Sequence, residues 1–412
     1  MTIFKQFCCR AVPLATLLAI GTALTTALLS AQTFSTIYSF NGGSDGSWPC
    51  GGVITDGQGT VYASTQFGGG GNNAGTVIEL PLGRWERVLH SFQISDGQNP
   101  CSALFRAANG DIYGTTEYGG SNSGGVLFRL SAGNFEVLHN FGASSDGAFP
   151  LAGVIADPIG NLYGTTAQGG AGACPGGCGT VYRVDGSGNE TVLYSFHGAD
   201  GAYPSAGLLR DTQGNLYGTT LAGGAHNTCQ SGCGTVFKLD GSGQLTVLYS
   251  FMGGQDGWYI TTGLVRDTSG NLYGTTAGGG RSSLGTIYEI SNSGIESVLY
   301  SFNGDSDGQT PQDLFLAGDH TVYGAAYLGG GSCPPEGQFG CGTVFKFTKE
   351  SGIIILHRFQ GVNDGIYPLG PVIIDSNGFL YGATQYGPQG HCSTGGYGCG
   401  TLWKIFIGGS DY

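Results

Sequence analysis

One unit is written seven times along this chain, and that repetition restricts the fold more than any other property of the sequence. A tyrosine followed by glycine or alanine recurs as Tyr62, Tyr113, Tyr163, Tyr217, Tyr273, Tyr323 and Tyr381, about 50 to 58 residues apart. That spacing falls in the range of propeller blades. Each copy holds four short stretches rich in Val, Ile, Leu, Tyr, Phe and Thr, separated by Gly, Asn and Asp, with no helical period after the N-terminus. Each copy is therefore expected to be a four-stranded antiparallel sheet. In the fourth copy the expected strands are a (207–210), b (215–219), c (234–239) and d (246–251), with glycine in the a-to-b and c-to-d turns where a positive φ is wanted.

The count of pieces distinguishes a ring from an open stack. There are seven a-b-c units, yet the chain opens with an isolated d-type strand at 33–40, and the last copy stops after strand c at 401–405. Pairing the first strand with the last closes the ring and leaves no long sheet edge. The expectation is an all-β, seven-bladed β-propeller spanning 32–407 as one domain, with a leader at 1–31 and a short tail at 408–412. A different blade count or a β-solenoid is the alternative.

Glycine makes up 81 of 412 residues, but without a triplet period, and the 40% apolar fraction is that of a chain with a core. The net charge of −13, which becomes more negative if Lys5 and Arg10 leave with the leader, argues against nucleic acid or an anionic membrane as partner. The leader places these two cations before an apolar run at 11–29 and then Ser30-Ala31-Gln32, the pattern of a secretory signal. Leu29 stands where a small residue is preferred, which keeps an uncleaved membrane anchor as the alternative.

Ten cysteines follow the leader. Cys174 and Cys178, Cys229 and Cys233, Cys333 and Cys341, and Cys392 and Cys399 form close pairs in b-to-c loops. In an exported chain these read as loop staples, with zinc as the rival reading. Closing a five-residue loop is worth only about 2 kcal/mol, so the staples would rigidify loops rather than hold the domain. Cys50 and Cys101 occupy equivalent positions in neighbouring copies. A bridge between them requires Cα atoms within about 7 Å, which equivalent positions reach only near the central axis; if bonded, they mark the start of strand a as channel-lining.

The recurring GNLYGTT, GTVFKLD and TVLYSF segments resemble the GloVer extracellular tandem-repeat family over about residues 33–405. The resemblance implies an exported bacterial protein without an assigned reaction, and many relatives carry a C-terminal surface-sorting segment. Here the last residues, 406–412, include no apolar tail or basic terminus, so the resemblance does not extend to that anchor.

Residues that recur in every copy are read as structure. His90, His139 and His357 fill the slot held elsewhere by Tyr38, Tyr194, Tyr249 and Tyr300 and are read as ring-shaped substitutes. The Asp-Gly aspartates Asp45, Asp96, Asp146, Asp200, Asp256, Asp307 and Asp364 are read as turn residues rather than calcium ligands. The long b-to-c and d-to-a loops share one face, and loops on a rigid scaffold are where binding residues are placed. Candidate ligand-binding residues there are Trp48, Tyr203, Trp258, Tyr259, Tyr367, Arg281, His226 and His391, with Trp258 singled out because a second aromatic follows it and no proline. Stacking on sugar rings and packing between blades are the two readings of these aromatics. No catalytic residue, cofactor or metal is assigned, since no zinc-helix motif occurs and no pair of histidines or carboxylates stands out at non-repeating positions. The function classes are a non-catalytic binding module for a glycan or protein ligand, a propeller enzyme acting on polysaccharides or lactones, and a structural surface protein.

Overall fold

A computed structural model describes residues 33–142, 145–318, 320–333, 339–361, 363–387, 392 and 398–408. The leader, His391 and most of the C-terminal tail lie outside the described residues. Seven four-stranded antiparallel sheets follow one another as blades spanning 47–91, 105–140, 155–195, 209–250, 265–301, 309–358 and 366–406, the last completed by Phe34–Ser39. Ring closure is as the sequence implies: Phe34–Ser39 pairs antiparallel with Thr401–Phe406, Phe34 opposite Ile405 and Ser39 opposite Thr401.

In blade 4 the strands are Leu209–Arg210, Leu216–Thr220, Thr235–Leu239 and Leu245–Ser250. Strand a is thus shorter than expected from sequence. Its first part at Gly207 and Leu208 is too irregular for ladder pairing, whereas blades 1, 6 and 7 carry nine-residue inner strands, Ser47–Thr55, Gln309–Ala317 and Ile366–Ile374.

A small-against-large pair explains why glycine follows the repeated tyrosine. The residue after the tyrosine faces an apolar side chain of strand c: Ala63 with Ile78, Gly114 with Phe128, Gly164 with Tyr182, Gly218 with Phe237, Gly274 with Tyr288, Gly324 with Phe345 and Gly382 with Trp403. All seven strand-c side chains are fully buried. A Cβ on Gly218 would stand 2.5 Å from Phe237 Cζ, too close for any side chain. The only blade with alanine at this point is the one whose partner is the smaller isoleucine, as packing at interior density requires.

The Thr-Thr pair after that glycine stitches in two directions. The second threonine bonds its strand-c neighbour, as in Thr220 Oγ1 to Thr235 Oγ1 at 2.9 Å, while the first donates to the next blade, as in Thr219 Oγ1 to the Thr262 carbonyl at 2.8 Å. In blades 3, 4, 5 and 7 the repeated tyrosine is tied to the preceding turn. In blade 4, Asp211 accepts from the Gln213 and Asn215 amides at 3.0 and 2.9 Å and from the Tyr217 hydroxyl at 3.1 Å.

Five disulfides are present: Cys50–Cys101, Cys174–Cys178, Cys229–Cys233, Cys333–Cys341 and Cys392–Cys399. Four lie within single b-to-c loops. The fifth joins blades 1 and 2 with Cα atoms 5.0 Å apart.

Candidate functional site

The aromatics on the long-loop face are held there by an unusual backbone. Trp48, Asn99, Phe149, Tyr203, Tyr259, Thr310 and Tyr367 occupy the same place in seven d-to-a connections, and all have φ between 56 and 66°. A left-handed conformation at a non-glycine residue carries a cost and persists only where neighbours enforce it. Here the amides of Trp48, Asn99, Phe149, Tyr203, Thr310 and Tyr367 donate to the preceding blade. The Tyr203 amide donates to the Cys178 carbonyl of blade 3 at 2.9 Å, and its own carbonyl accepts from Leu221 of blade 4 at 3.2 Å. The next residue, proline in six blades and Ile260 in blade 5, lies against the glycine that opens strand c of the preceding blade. A Cβ on Gly179 would come within 2.6 Å of Pro204 Cδ. The recurrent Gly-Thr and aromatic-Pro motifs are therefore two halves of one inter-blade joint.

Between blades 4 and 5 this joint opens into a cleft of about 720 Å³. Tyr203, Trp258 and Tyr259 line it together with Leu221, Met252 and the loop 228–232, which is pinned by Cys229–Cys233. Trp258 is 39% and Tyr259 51% exposed, with ring centroids 6.0 Å apart at 81°. The indole lies over Gly278, where a Cβ would stand 2.6 Å from Trp258 Cε2. Three of the sequence-derived candidates thus meet in one concavity.

The remaining candidates lie elsewhere. Trp48 contacts Phe67 at 5.0 Å and Tyr386 at 5.1 Å, and Tyr367 contacts Tyr386 at 5.8 Å and stacks on Tyr327 at 4.9 Å, a half-buried aromatic run over blades 1, 7 and 6. His226 is half-buried on the blade 4 loop and Arg281 is exposed on the blade 5 loop; neither lines the cleft.

A second concavity, about 780 Å³, occupies the ring centre and is lined by the inner strands of all seven blades, including Cys50 and Cys101. The carboxylates lining it are Glu117, at the end of strand b, and Asp313. Sequence reasoning missed Asp313, although the signal was there: the register of the repeat aligns it with Gly52, Ala103, Gly153, Gly207, Gly263 and Pro371, so one blade carries an acid where six carry a small or cyclic residue.

The Gloeobacter/Verrucomicrobia repeat matches residues 21–231 and 227–411, nearly the whole chain. The chain belongs to the Gloeobacter/Verrucomicrobia repeat family. Among solved structures it is similar to the extracellular domain of a protein designated a hybrid two-component system from B. thetaiotaomicron, with TM-score 0.55 and 11% identity over 91% of this chain and 41% of that one. It therefore spans about two fifths of that extracellular chain's length. It is also similar to a Bacteroides uniformis protein designated a 6-phosphogluconolactonase, with TM-score 0.51 and 14% identity over 77% of this chain and 89% of that one. Identities this low carry the fold and not the activity. Comparison with the curated proteins finds no match.

In this Gloeobacter/Verrucomicrobia repeat propeller the seven Asp-Gly aspartates each serve their own blade. Tyr38, Tyr194, Tyr249 and Tyr300 donate to Asp45, Asp200, Asp256 and Asp307 at 2.8, 2.5, 3.0 and 2.6 Å. His90, His139 and His357 reach Asp96, Asp146 and Asp364 at 3.2, 3.3 and 2.9 Å through Nε2, so the imidazole does what the phenol does elsewhere. The same carboxylates fold their turns, as when Met252 N–H donates to Asp256 at 2.7 Å.

Two of these pairs are crowded by a further acid. Burial pushes Glu190 and Glu296 up to about 7, and the negative charges of Asp146 and Asp256, respectively, push in the same direction. Glu190 Oε1 and Glu296 Oε1 are buried without a hydrogen-bond partner. An acid whose native value is raised binds its proton more tightly when folded, so its stabilising contribution is present at low pH and is lost as pH climbs from the unfolded value of 4.5 through about 7. His90 and His139, depressed by burial, act with the opposite sign below the ordinary histidine value. Comparison with a variant isolates the glutamates. Glu190→Gln/Glu296→Gln is expected to melt above wild type at pH 8 and with it at pH 4; a gap independent of pH in calorimetry would refute this origin.

Proposed function

We propose that this chain is an exported, non-catalytic binding module that holds a glycan in the cleft formed by Tyr203, Trp258 and Tyr259. The observation that carries the reading is the convergence of three aromatics from two adjacent blade joints, two of them 39% and 51% exposed, on one concavity. Flat rings with few torsions present large contact area at little entropic cost, and a phenol or indole offers a polar edge beside an apolar face. The faces of sugar rings match that chemistry. Rigidity comes from the bridging backbone at Tyr203, the glycine seat under Trp258 and the disulfide in the opposing loop. Export is supported by five disulfides, which persist in oxidising compartments, and by the leader pattern.

Trp258→Ala tests the reading on a polysaccharide array. Loss of a central stacking residue is expected to weaken binding by at least about 2 kcal/mol, roughly thirtyfold, while the melting temperature stays near wild type because the indole is already 39% exposed. A wild-type protein that binds no glycan would leave a protein ligand as the main candidate. A variant that melts like a core mutant would make Trp258 a packing residue.

A further inference from the structure

We propose that the central cavity is a binding site for an organic ammonium ion, with the Asp313 carboxylate as its anchor. The inference does not depend on the glycan cleft, which lies between blades 4 and 5.

The first argument is the insertion itself. Asp313 stands where the other blades carry Gly52, Ala103, Gly153, Gly207, Gly263 and Pro371, none of them charged. Building the fold needs no carboxylate there, since six blades do without one. A gain in packing does not account for it either, because the half-buried side chain lines the cavity.

The second argument is charge. Among the described lining residues are Asp313 and Glu117 and no lysine, arginine or histidine. Asp313 Oδ1 accepts from the Gly263 amide at 2.5 Å, which fixes the orientation of the group, but a backbone amide brings no positive charge. Enclosure within the ring pushes the Asp313 carboxyl up from the ordinary carboxylate range; a cation in the cavity would offset that cost. Anionic ligands are disfavoured by the same two carboxylates.

The third argument separates an organic cation from a metal ion. A hard divalent ion asks for six or more oxygen ligands, and no group of three His, Cys, Asp or Glu fit to hold a metal occurs among the described residues. The walls are instead largely aliphatic, with half-buried Leu151, Leu369 and Pro371 lining the cavity. The cavity volume of about 780 Å³ suits a small organic molecule. A carboxylate among apolar walls matches an ammonium head on a carbon body. Gln66, Glu117 and Tyr327, at the strand-b ends on the long-loop side, line the same cavity and offer polar contacts there.

Two sources share this chemistry, an alkylamine and an amino sugar, and the experiment separates them. Titration calorimetry of the oxidised full chain would use n-butylammonium against 1-butanol and glucosamine against glucose, with wild type, Asp313→Asn and Asp313→Gly. Asn keeps an oxygen for the Gly263 amide, and Gly restores the residue of four other blades, so at least one variant is expected to keep the wild-type melting temperature. At least one ammonium should bind tenfold or more tightly than its neutral counterpart, and the difference should vanish in the folded variant. Acidification should weaken ammonium binding by protonating Asp313, and Glu117→Gln, which removes the other carboxylate facing the cavity, should retain that weakening. The Tyr327 phenol, raised by burial, stays protonated throughout. Binding of butylammonium alone identifies the alkylamine class, and of glucosamine alone the amino sugar class. Failure of both probes, equal affinity for the neutral counterparts, or undiminished ammonium binding in the folded variant would overturn the proposal, whatever the outcome at Trp258.

Discussion

Deleting residues 33–40 is expected to abolish cooperative folding or lower the melting temperature far more than deleting 408–412. The strand Phe34–Ser39 supplies the outer ladder of the last blade and covers Thr401–Phe406, in which Leu402, Trp403 and Ile405 are completely buried. Phe34 also stacks on His357 at 3.8 Å and meets Phe359 edge-on at 5.7 Å, so it joins blade 7 to blade 6. Phe40, 4% exposed, packs in the cluster shared with blade 1. Removing one buried aromatic costs about 3–5 kcal/mol; this deletion removes the rings of Phe34, Tyr38 and Phe40 and a ladder, against a total stability of about 5–15 kcal/mol. Thermal unfolding followed by circular dichroism decides it. Two truncations with the same midpoint would mean that the ring does not depend on this strand.

A second large loss is expected at the centre of blade 7. Trp403→Ala should cost about 3–5 kcal/mol, since the indole is completely buried against Gly382. Gly382→Ala should cost about 1–3 kcal/mol for the opposite reason, because its Cβ would overlap the indole. Trp403→Ile with Gly382→Ala recreates the Ala63–Ile78 pair of blade 1, and the loss should be smaller than the sum of Trp403→Ile alone and Gly382→Ala alone, as contacting residues couple. Strict additivity in denaturant titration would show that the pair is not the unit of packing.

Architecture was legible because each copy restates it. The tyrosine spacing, the unpaired strand at each end and the equivalent placement of Cys50 and Cys101 all refer to relations between copies, and such relations survive without knowledge of side-chain contacts. The equivalence of His90 with Tyr38 was legible for the same reason. The inner strand was overestimated in blade 4 because its apolar residues suggest a ladder, whereas the left-handed joint at Tyr203 and the irregular backbone at Gly207 delay regular pairing until Leu209. Site residues were less legible where they depart from the repeat. Trp258 announced itself by replacing a pattern with a second aromatic. Asp313 did not, because blade 6 is one residue shorter between Pro311 and Tyr323 than blade 2 is between Pro100 and Tyr113, and the offset hides the column to which the acid belongs. Arg281 shares a blade with Trp258, but closeness in the repeat does not place a loop side chain in the cleft formed with the preceding blade.

The pairing of Phe34–Ser39 with Thr401–Phe406 also has a meaning in time. Synthesis produces the outer strand of the last blade before any complete blade, and its partner only after six blades have been made. Until then two sheet edges stand open, one at each end of the chain, and a product stopped anywhere between them keeps both. Closure is therefore sensed by the fold itself: the ring distinguishes a chain that includes Thr401–Phe406 from one that stops before it, and exposed edges are the mark by which quality control can recognise the difference.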